Sequence, residues 1–263
     1  MLTRTIELKK RLRAGQATIG AWLSFSCPAA AEIMAGTGFD WLLIDTEHAP
    51  FTLENLECTL MAFKGQPTVP IVRVAWNDRR IIKQVLDLGA EGILIPYVCS
   101  REEAEQAVAV CKYPPTGVRG FGPRRASNYY RQTGEYVQLA NEAVIVAIQI
   151  EHIDAVKTVD QILSVPGIDV VLLGPMDLSG SMGLLGQLDH PEVVDAIEQV
   201  LTVARQRGIP AGVPIDGPPE VLLPWISRGC QFVFAGEDHS FLRRTADDVL
   251  IRFRSLLTEK LEP

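Results

Sequence analysis

Short apolar runs rich in β-branched residues alternate with amphipathic helical patterns along the chain, and this alternation limits the possible folds more than any other feature. Eight runs have the composition of strands buried on both faces; they cover residues 19–25, 41–45, 70–76, 92–98, 143–151, 169–175, 210–215 and 232–237. Several of the helical patterns between them end in Gly, the residue typical of helix C-termini. Eight alternating strands predict a parallel sheet closed into a (β/α)₈ TIM barrel. An open doubly wound sheet is the alternative.

Bulk properties limit the setting in which such a barrel works. The 263 residues contain no linker or shift in composition, so one barrel domain over 1–263 is predicted, which begins with a charged amphipathic helix. A net charge of -7 disfavours binding to nucleic acid. No apolar run approaches the roughly 20 residues of a membrane span, and the N-terminus has no signal-peptide pattern. The five cysteines are scattered, without a CxxC pair, which favours a reducing, cytoplasmic location.

Polar residues gather where the predicted strands end, and active sites of barrels lie at that pole. The second run leads into the segment Asp45–His48, and the third carries Arg73. The fifth run ends in Gln149-Ile150-Glu151, a spacing that points both polar side chains to one side of the sheet. The sixth run leads into the turn Gly174–Asp177. The pattern predicts one polar site at the barrel mouth.

These residue types suit enolate chemistry on an α-keto acid. Glu151 and Asp177 are hard oxygen ligands for Mg²⁺, Mn²⁺ or Co²⁺, and a metal held by two carboxylates keeps positions open for substrate. Such a metal polarises a ketone and stabilises an enolate. Arg73 adds positive charge at the enolate oxygen. His48 is a candidate proton carrier, with Asp45 to orient it. Backbone N–H groups of the Gly174–Asp177 turn are candidate donors to a substrate carboxylate.

Structural roles are the alternatives for the same side chains. Asp177 could cap a helix, Glu151 could cap or form a salt bridge, and His48 could be a structural histidine. His190 and His239 are predicted to stand at helix starts, and His152 is left outside the site. A guanidinium such as Arg73 on an apolar strand is harder to explain structurally, because an unpaired buried charge is costly.

The lysines exclude one mechanism. A Schiff-base aldolase needs an amine at the barrel mouth. All seven lysines fall within helical patterns and none ends a strand; they are Lys9, Lys10, Lys64, Lys83, Lys112, Lys157 and Lys260. A metal-dependent mechanism is therefore predicted for an aldolase with this sequence.

Motifs in the same order throughout most of the chain resemble those of the HpcH/HpaI family of class II, metal-dependent pyruvate aldolases. Members of that family act on 4-hydroxy-2-oxo acids and on 2-keto-3-deoxy sugar acids. The matching stretches are GFDWLLIDTEHAP (38–50), VRVAWND (72–78), IKQVLDLGAEGILIPYV (82–98), YPPTGVRGFGPRRAS (113–127), QIE (149–151), GIDVVLLGPMDLS (167–179) and HPEVVDAIE (190–198).

The resemblance implies an assembly and a reaction. It implies a hexamer built as a trimer of dimers, with the C-terminal helix of each barrel exchanged between partners. It implies reversible cleavage of 4-hydroxy-2-oxo acids to pyruvate, or another 2-oxo acid, and an aldehyde. A citryl/malyl-CoA-type lyase on the same barrel and a non-catalytic keto-acid-binding protein are the competing functions. The first would need cationic contacts for CoA, and the second predicts the loss of a ligand or of the base.

The resemblance also implies individual roles. Glu151 and Asp177 correspond to the metal ligands, His48 to the base with Asp45 as its partner, and Arg73 to the enolate stabiliser. Other positions are matched to substrate contacts: Gln149, Gly174 and the backbone of Met176 and Asp177 for pyruvate, and Asp87 for a neighbouring subunit's site. Val213, near the end of the seventh run, and Arg124, in the FGPRR loop, are matched to the aldehyde side, where Arg124 or Arg125 could alternatively only hold the loop. This sequence departs from the family at Met176, His152 and residues 210–215, so the resemblance specifies the pyruvyl half of the substrate better than the aldehyde.

Overall fold

The computed structural model describes residues 2–215 and 217–261, and its centre is one sheet of eight parallel strands. In chain order the strands are β1 (Thr18–Leu23), β2 (Trp41–Asp45), β3 (Val69–Arg73), β4 (Gly92–Ile95), β5 (Ile145–Ile150), β6 (Val170–Leu173), β7 (Ala211–Gly212) and β8 (Phe232–Glu237). Each strand pairs with its neighbours in sequence from β1 to β7, and β8 pairs with β1. A parallel bridge between Ala211 and Cys230 connects the two remaining edges. The barrel is therefore confirmed, and the open-sheet alternative is wrong.

Helices follow the strands around the outside, as the periodicity predicts. Their bounds are α1 (Thr3–Arg13), α2 (Pro28–Ala35), α3 (Leu53–Met61), α4 (Arg79–Asp87), α5 (Arg101–Cys111), α6 (Thr133–Ala143), α7 (Ile153–Lys157), α8 (Val159–Ile162), α9 (Pro175–Ser181), α10 (Pro191–Gln206), α11 (Pro219–Ser227) and α12 (Asp238–Leu261). His152 and His190 accept from backbone N–H groups at the starts of α7 and α10. His190 thus has the helix-start role expected from sequence.

Two apolar layers fill the molecule. One lies inside the barrel, where the rings of Trp41 and Phe232 stack with centroids 3.7 Å apart. The other lies between the sheet and the surrounding helices and contains, for example, Leu42 and Ile44, the neighbours of Trp41 and Leu43 that point outward. Successive strand residues thus alternate between the layers, which is why each strand is apolar almost throughout.

Helix α1 closes the barrel at the N-terminal ends of the strands, here called the base. Leu8 and Leu12 extend the interior layer downward. A carboxylate stands immediately before each of β2, β4 and β6, and basic residues of α1 pair with all three. The pairs are Arg11–Asp40, Arg4–Glu91, and Lys9 and Arg13 with Asp169. The basic side of the predicted N-terminal helix therefore fixes it across the barrel floor.

Strand β7 is the main departure from the sequence-based bounds. The predicted run 210–215 shrinks to Ala211–Gly212. Pro210 and Pro214 flank this pair, and a proline has no N–H to donate to a neighbouring strand. The apolar pattern alone overestimates the length of this strand.

Helix α12 extends away from the barrel. Residues 245–258 are all exposed, although this segment carries six large apolar side chains: Val249, Leu250, Ile251, Phe253, Leu256 and Leu257. Contiguous apolar exposure of this kind marks an interaction surface. No helix in the part of the chain that the structure describes combines the length and apolarity needed to cross a membrane.

Candidate functional site

The polar residues singled out from the sequence meet at the C-terminal ends of the strands, here called the mouth. Asp45 and Arg73 are the last residues of β2 and β3 and face each other in register. Glu151 follows β5, and Asp177 lies in the first turn of α9, directly after β6. Parallel strands bring these positions to one pole because all their C-terminal ends lie there.

Arg73 is held rigidly at the centre of this group. It is buried, and its Nε and Nη2 donate to Oδ1 and Oδ2 of Asp45, both at 2.9 Å. Its guanidinium carbon lies 4.3 Å from the ring centroid of Trp22, a cation–π contact. Nη1 lies 3.2 Å from Oε2 of Glu47, within ion-pair distance. One guanidinium therefore serves two carboxylates and stays fixed in position.

The expected pairing of Asp45 with the His48 imidazole is wrong for this structure. Both Asp45 oxygens accept from Arg73, and Oδ1 also accepts from the backbone N–H groups of Glu47 and His48. The imidazole is largely exposed, with Nε2 3.8 Å from Oε2 of Glu47. A planar guanidinium matches both carboxylate oxygens and Asp45 stands in register with it, so Arg73 is the stronger partner.

Glu151 and Gln149 form a second buried pair. Glu151 Oε1 accepts from the backbone N–H of Tyr97 at 2.7 Å, and Oε2 accepts from Gln149 Nε2 at 2.6 Å. A Cβ at Gly174 would lie 2.5 Å from Glu151 Oε2, so only glycine fits there. Tyr97 adopts a positive φ of 54°, a strained conformation for a non-glycine residue. The surroundings therefore fix the Glu151 carboxylate from three sides.

Negative charge is in excess at the mouth. Burial, reinforced by the carboxylates of Glu47 and Asp177, raises the pKa of Glu151 to about 7. Burial also raises the pKa of Glu47, against the opposing effect of Arg73. Oε2 of Glu47 and Oε1 of Gln149 are buried and accept no hydrogen bond. Unsatisfied acceptors beside crowded carboxylates favour a cation at this place.

Asp177 is not a helix N-cap, so that structural alternative is wrong. Gly174 occupies the N-cap position of α9, and Asp177 is the third residue of the helix. Its side chain is exposed, as is that of Met176. The backbone N–H groups of Met176 and Asp177 belong to the first helical turn, where no intrahelical acceptor exists. A carboxylate and free N–H groups are thus available together.

The donor set fits a hard divalent cation. Glu151, Asp177 and the free Oε1 of Gln149 are oxygen donors of the kind that Mg²⁺ and Mn²⁺ prefer. Among the side chains that the structure describes, those of residues 2–215 and 217–258, no group of three or more His, Cys, Asp or Glu is arranged to hold a metal. A cation at this place would therefore rest on two carboxylates and keep positions open for water or substrate.

Two residues matched to the substrate lie far from their own mouth. Arg124 is exposed in the loop between α5 and α6, at the base of the barrel. Asp87 ends α4 at the same pole and pairs with Arg119 at 2.8 Å. Neighbouring Arg125 donates to the backbone of Leu88, so it holds the loop. The structure therefore does not bring Arg124 into the site of its own chain.

Val213 is also displaced from its expected position. It is buried, 4% exposed, and belongs to the layer between sheet and helices. It follows the two-residue strand β7, where alternation directs its side chain outward. Its predicted role as a substrate contact is not supported by this placement.

Three residues that contribute to the site, Glu47, Trp22 and Tyr97, were not predicted from the sequence. Glu47 was visible in the segment after β2, and its place between Asp45 and His48 was the available signal. Trp22 reaches Arg73 from β1, and Tyr97 contributes a backbone N–H, which no side-chain pattern reports. Two of the seven lysines, Lys9 and Lys112, are buried at the base and not at the mouth, and both donate to backbone carbonyl groups there.

Comparison with known proteins identifies a family and several similar proteins. Residues 18–216 match the model of the family described as HpcH/HpaI aldolase/citrate lyase. A protein from Escherichia coli named 4-hydroxy-2-oxo-heptane-1,7-dioate aldolase is 42% identical over 254 residues, covering 96% of each chain. A Salmonella typhimurium protein of the same name is 44% identical over 248 residues, covering 93% of each. An HpcH/HpaI aldolase/citrate lyase family protein from Burkholderia cenocepacia superposes with a TM-score of 0.90 at 33% identity, covering 94% of this chain and 99% of that one.

Proposed function

This chain belongs to the HpcH/HpaI aldolase/citrate lyase family, and on that premise we propose that it is a divalent-metal-dependent aldolase. The reaction is the reversible cleavage of a 4-hydroxy-2-oxo acid to pyruvate and an aldehyde. The names of the relatives at 42–44% identity support an aldolase over a citryl/malyl-CoA-type lyase. The candidate ligands and the candidate base are all present, which argues against a non-catalytic binding protein.

The observation that carries the proposal is the excess of carboxylate at the mouth. The carboxylates of Glu47 and Asp177 add to the effect of burial in raising the pKa of Glu151, and Arg73 already pairs with both Asp45 and Glu47. A divalent cation held by Glu151 and Asp177 would supply Lewis-acid polarisation of the substrate ketone. Mg²⁺, Mn²⁺ and Co²⁺ all suit these oxygen donors.

Arg73 stabilises the charge that develops on the substrate. As the C3–C4 bond breaks, its electron pair moves toward the C2 oxygen, which becomes an enolate. A fixed guanidinium beside that oxygen stabilises the transition state more than the ground state. Asp45 and Trp22 hold the guanidinium in place, so little reorganisation is needed.

His48 moves the proton. In cleavage the exposed imidazole takes the proton of the C4 hydroxyl as the aldehyde forms, and a proton is then returned to C3 to give pyruvate. Glu47 lies beside the imidazole and acts as its carboxylate partner, the role first expected of Asp45. Gln149 and the backbone N–H groups of Met176 and Asp177 bind the pyruvyl carboxylate and ketone, and Gly174 leaves the space for them.

The test is an assay of the purified protein with a panel of substrates. Metal-free protein is incubated with 4-hydroxy-2-oxo acids, and pyruvate release is measured before and after addition of Mg²⁺, Mn²⁺ or Co²⁺. Activity should require the metal. Metal binding is measured separately by equilibrium dialysis. Cleavage of a CoA ester instead of the hydroxy-oxo acids would favour the lyase alternative, and full activity after exhaustive chelation would contradict the metal role.

Borohydride separates this mechanism from Schiff-base chemistry. Treatment with borohydride and pyruvate should neither inactivate the protein nor add mass to it, because no lysine is predicted at the mouth. A reduced pyruvyl adduct on any lysine would overturn the metal-dependent mechanism.

We also propose a hexamer, a trimer of dimers, in which α12 packs on a partner. The exposed apolar side chains of α12 support this, since a monomer would leave them in water. Asp87 and Arg124 at the base can serve a site only in a neighbouring chain. Light scattering should give about six times the chain mass of 28.9 kDa; a stable monomer would contradict the assembly.

A further inference from the structure

A second concave site lies at the base of the barrel, away from the mouth. It is a cavity of about 250 Å³ between the start of α1, the ends of α3 and α4, the loop before α6, and α6 itself. Leu60, Leu86, Tyr129 and Ala140 are among its lining residues. None of the residues placed at the mouth lines it, and neither do Asp87 and Arg124, the base residues assigned to a neighbouring chain's site.

Positive charge is concentrated in this cavity. The charged residues of its wall are four basic residues, Arg4, Lys64, Arg119 and Arg125, and one acidic residue, Glu91. The lining therefore carries a formal charge of +3 (four minus one) in a chain whose net charge is -7. Such local reversal attracts anions.

Two of these guanidinium groups, those of Arg119 and Arg125, are incompletely paired. Arg119 is 3% exposed; its Nη2 donates to Asp87, but its Nε is buried without a partner. Arg125 is half-buried and donates to the backbone of Leu88. Among the described side chains, those of residues 2–215 and 217–258, no carboxylate lies within ion-pair distance of Arg125, and burial lowers its pKa. Half-buried positive charge without a counter-ion is costly unless an anion binds.

The loop that borders the cavity is strained. Asn128, Tyr129 and Tyr130 have φ values of 55°, 55° and 65°, and three successive non-glycine residues in this region are unusual. Asn128 and Tyr129 both line the cavity, so this strained segment forms part of its wall.

The rest of the wall is apolar and sets the size of a ligand. Leu60, Phe63, Leu86 and Val144 contribute aliphatic and aromatic surface. A volume of 250 Å³ corresponds to roughly eight water molecules at ~30 Å³ each. We propose that this cavity binds a small carboxylate with an apolar body, of about ten non-hydrogen atoms, whose carboxylate pairs with Arg125.

The test is calorimetric titration of the full chain with phenylacetate, with phenylacetamide and acetate as matched probes. Phenylacetamide keeps the ring and removes the charge, whereas acetate keeps the charge and removes the ring. Phenylacetate should bind at least tenfold more tightly than either. No binding of phenylacetate, or equal binding of phenylacetamide, would overturn the proposal.

Variants locate the binding. Arg125→Gln removes the cation, and Ala140→Leu fills the cavity from a helix that tolerates leucine; each should weaken binding at least tenfold, with folding checked by thermal unfolding. Arg131→Gln, at an exposed arginine of the same loop that does not line the cavity, should bind as the wild type does. Glu151→Gln disables the mouth and should also retain binding, so failure of the aldolase proposal would not affect this result. Loss in Glu151→Gln with retention in Arg125→Gln would assign the ligand to the mouth and overturn the base site.

Discussion

The buried carboxylates under the barrel floor and those at the mouth of the barrel are in opposite states of hydrogen bonding and ion pairing. At the base, the Glu91 carboxylate accepts hydrogen bonds from Arg4 and Thr5. The Asp169 carboxylate forms an ion pair with Lys9 and accepts a hydrogen bond from a backbone N–H. At the mouth, Glu47 and Gln149 keep buried oxygens without hydrogen bonds. Folding alone would favour the first arrangement everywhere. The difference indicates that the mouth retains unfavourable electrostatics for binding, while the paired carboxylates under the barrel floor provide stability.

The strongest test of this contrast is to remove charge from the mouth. Glu151→Gln and Asp177→Asn should each lower aldol turnover by about 10³-fold, because the proposed cation loses a ligand. The free energy of unfolding of the metal-free protein should not fall, since like-charge repulsion is relieved and a flip of the Gln149 amide restores the hydrogen bond. Steady-state kinetics and urea unfolding measure the two effects.

Glu105→Gln, an exposed carboxylate paired with Arg101, is the matched control and should change neither quantity. A large loss of stability in Glu151→Gln would mean that the mouth, too, is built for stability.

Removing charge from the base should have the reverse effect. Asp169→Asn leaves Lys9 buried without its carboxylate, and should lower the free energy of unfolding by about 3 kcal/mol. Turnover per folded molecule should stay within about twofold of wild type. Asp160→Asn, which removes an exposed partner of Arg207, controls for surface charge. Reduced turnover in Asp169→Asn at full folding would link the two ends.

Arg73 is buried and ion-paired, as the carboxylates at the base are, and it also has a role in the proposed reaction. Its replacement separates these two roles. Arg73→Ala should lower kcat by about 10²-fold, the usual loss on removing one such donor. It should also slow exchange of the pyruvate methyl protons in D₂O, which needs no aldehyde. Arg73→Lys should recover only part, because lysine lacks the planar fork that pairs with Asp45.

Arg80→Ala, at an exposed ion pair beyond β3, should leave both rates unchanged. Wild-type exchange in Arg73→Ala with failure of aldol addition alone would assign Arg73 to the aldehyde.

The smallest predicted effect is on the pH dependence of stability and comes from a buried lysine at the base. Burial lowers the pKa of Lys112 to about 8, below its unfolded value of 10.5. Between these values the folded state binds fewer protons than the unfolded state, so Lys112 makes stability rise with pH. The free energy of unfolding of wild type minus that of Lys112→Met should increase by about 2 kcal/mol from pH 8.5 to 10.5. A difference that does not vary with pH would contradict the burial of this charge.

The fold could be predicted because its signal is repeated eight times. Periodicity marks each buried strand, and one weak element does not change the total. Strand β7 failed in length because prolines at 210 and 214 remove donors that an apolar count ignores. The mouth could be predicted because strand ends of a parallel barrel share a pole.

The spacing of residues along the sequence does not show which side chains pair with each other, or at which end of the barrel a residue lies. Asp45 pairs with Arg73 through the β2–β3 register, which exists only in the folded sheet. Arg124 lies in a loop between two helices, and whether that loop is at the base or at the mouth depends on how many helices separate the neighbouring strands. Val213 points outward because β7 ends one residue earlier. Glu47 was hidden among three other polar residues of its segment.

The two-residue strand β7 also gives the closed barrel a seam. One bridge, Ala211 to Cys230, connects β7 to β8, whereas β2 and β3 share five register pairs. Opening the ring at this seam breaks fewer backbone hydrogen bonds than opening it elsewhere, so it should occur at the lowest free energy. Backbone amides of residues 211–213 and 230–231 should therefore exchange with deuterium well before those of β2 and β3.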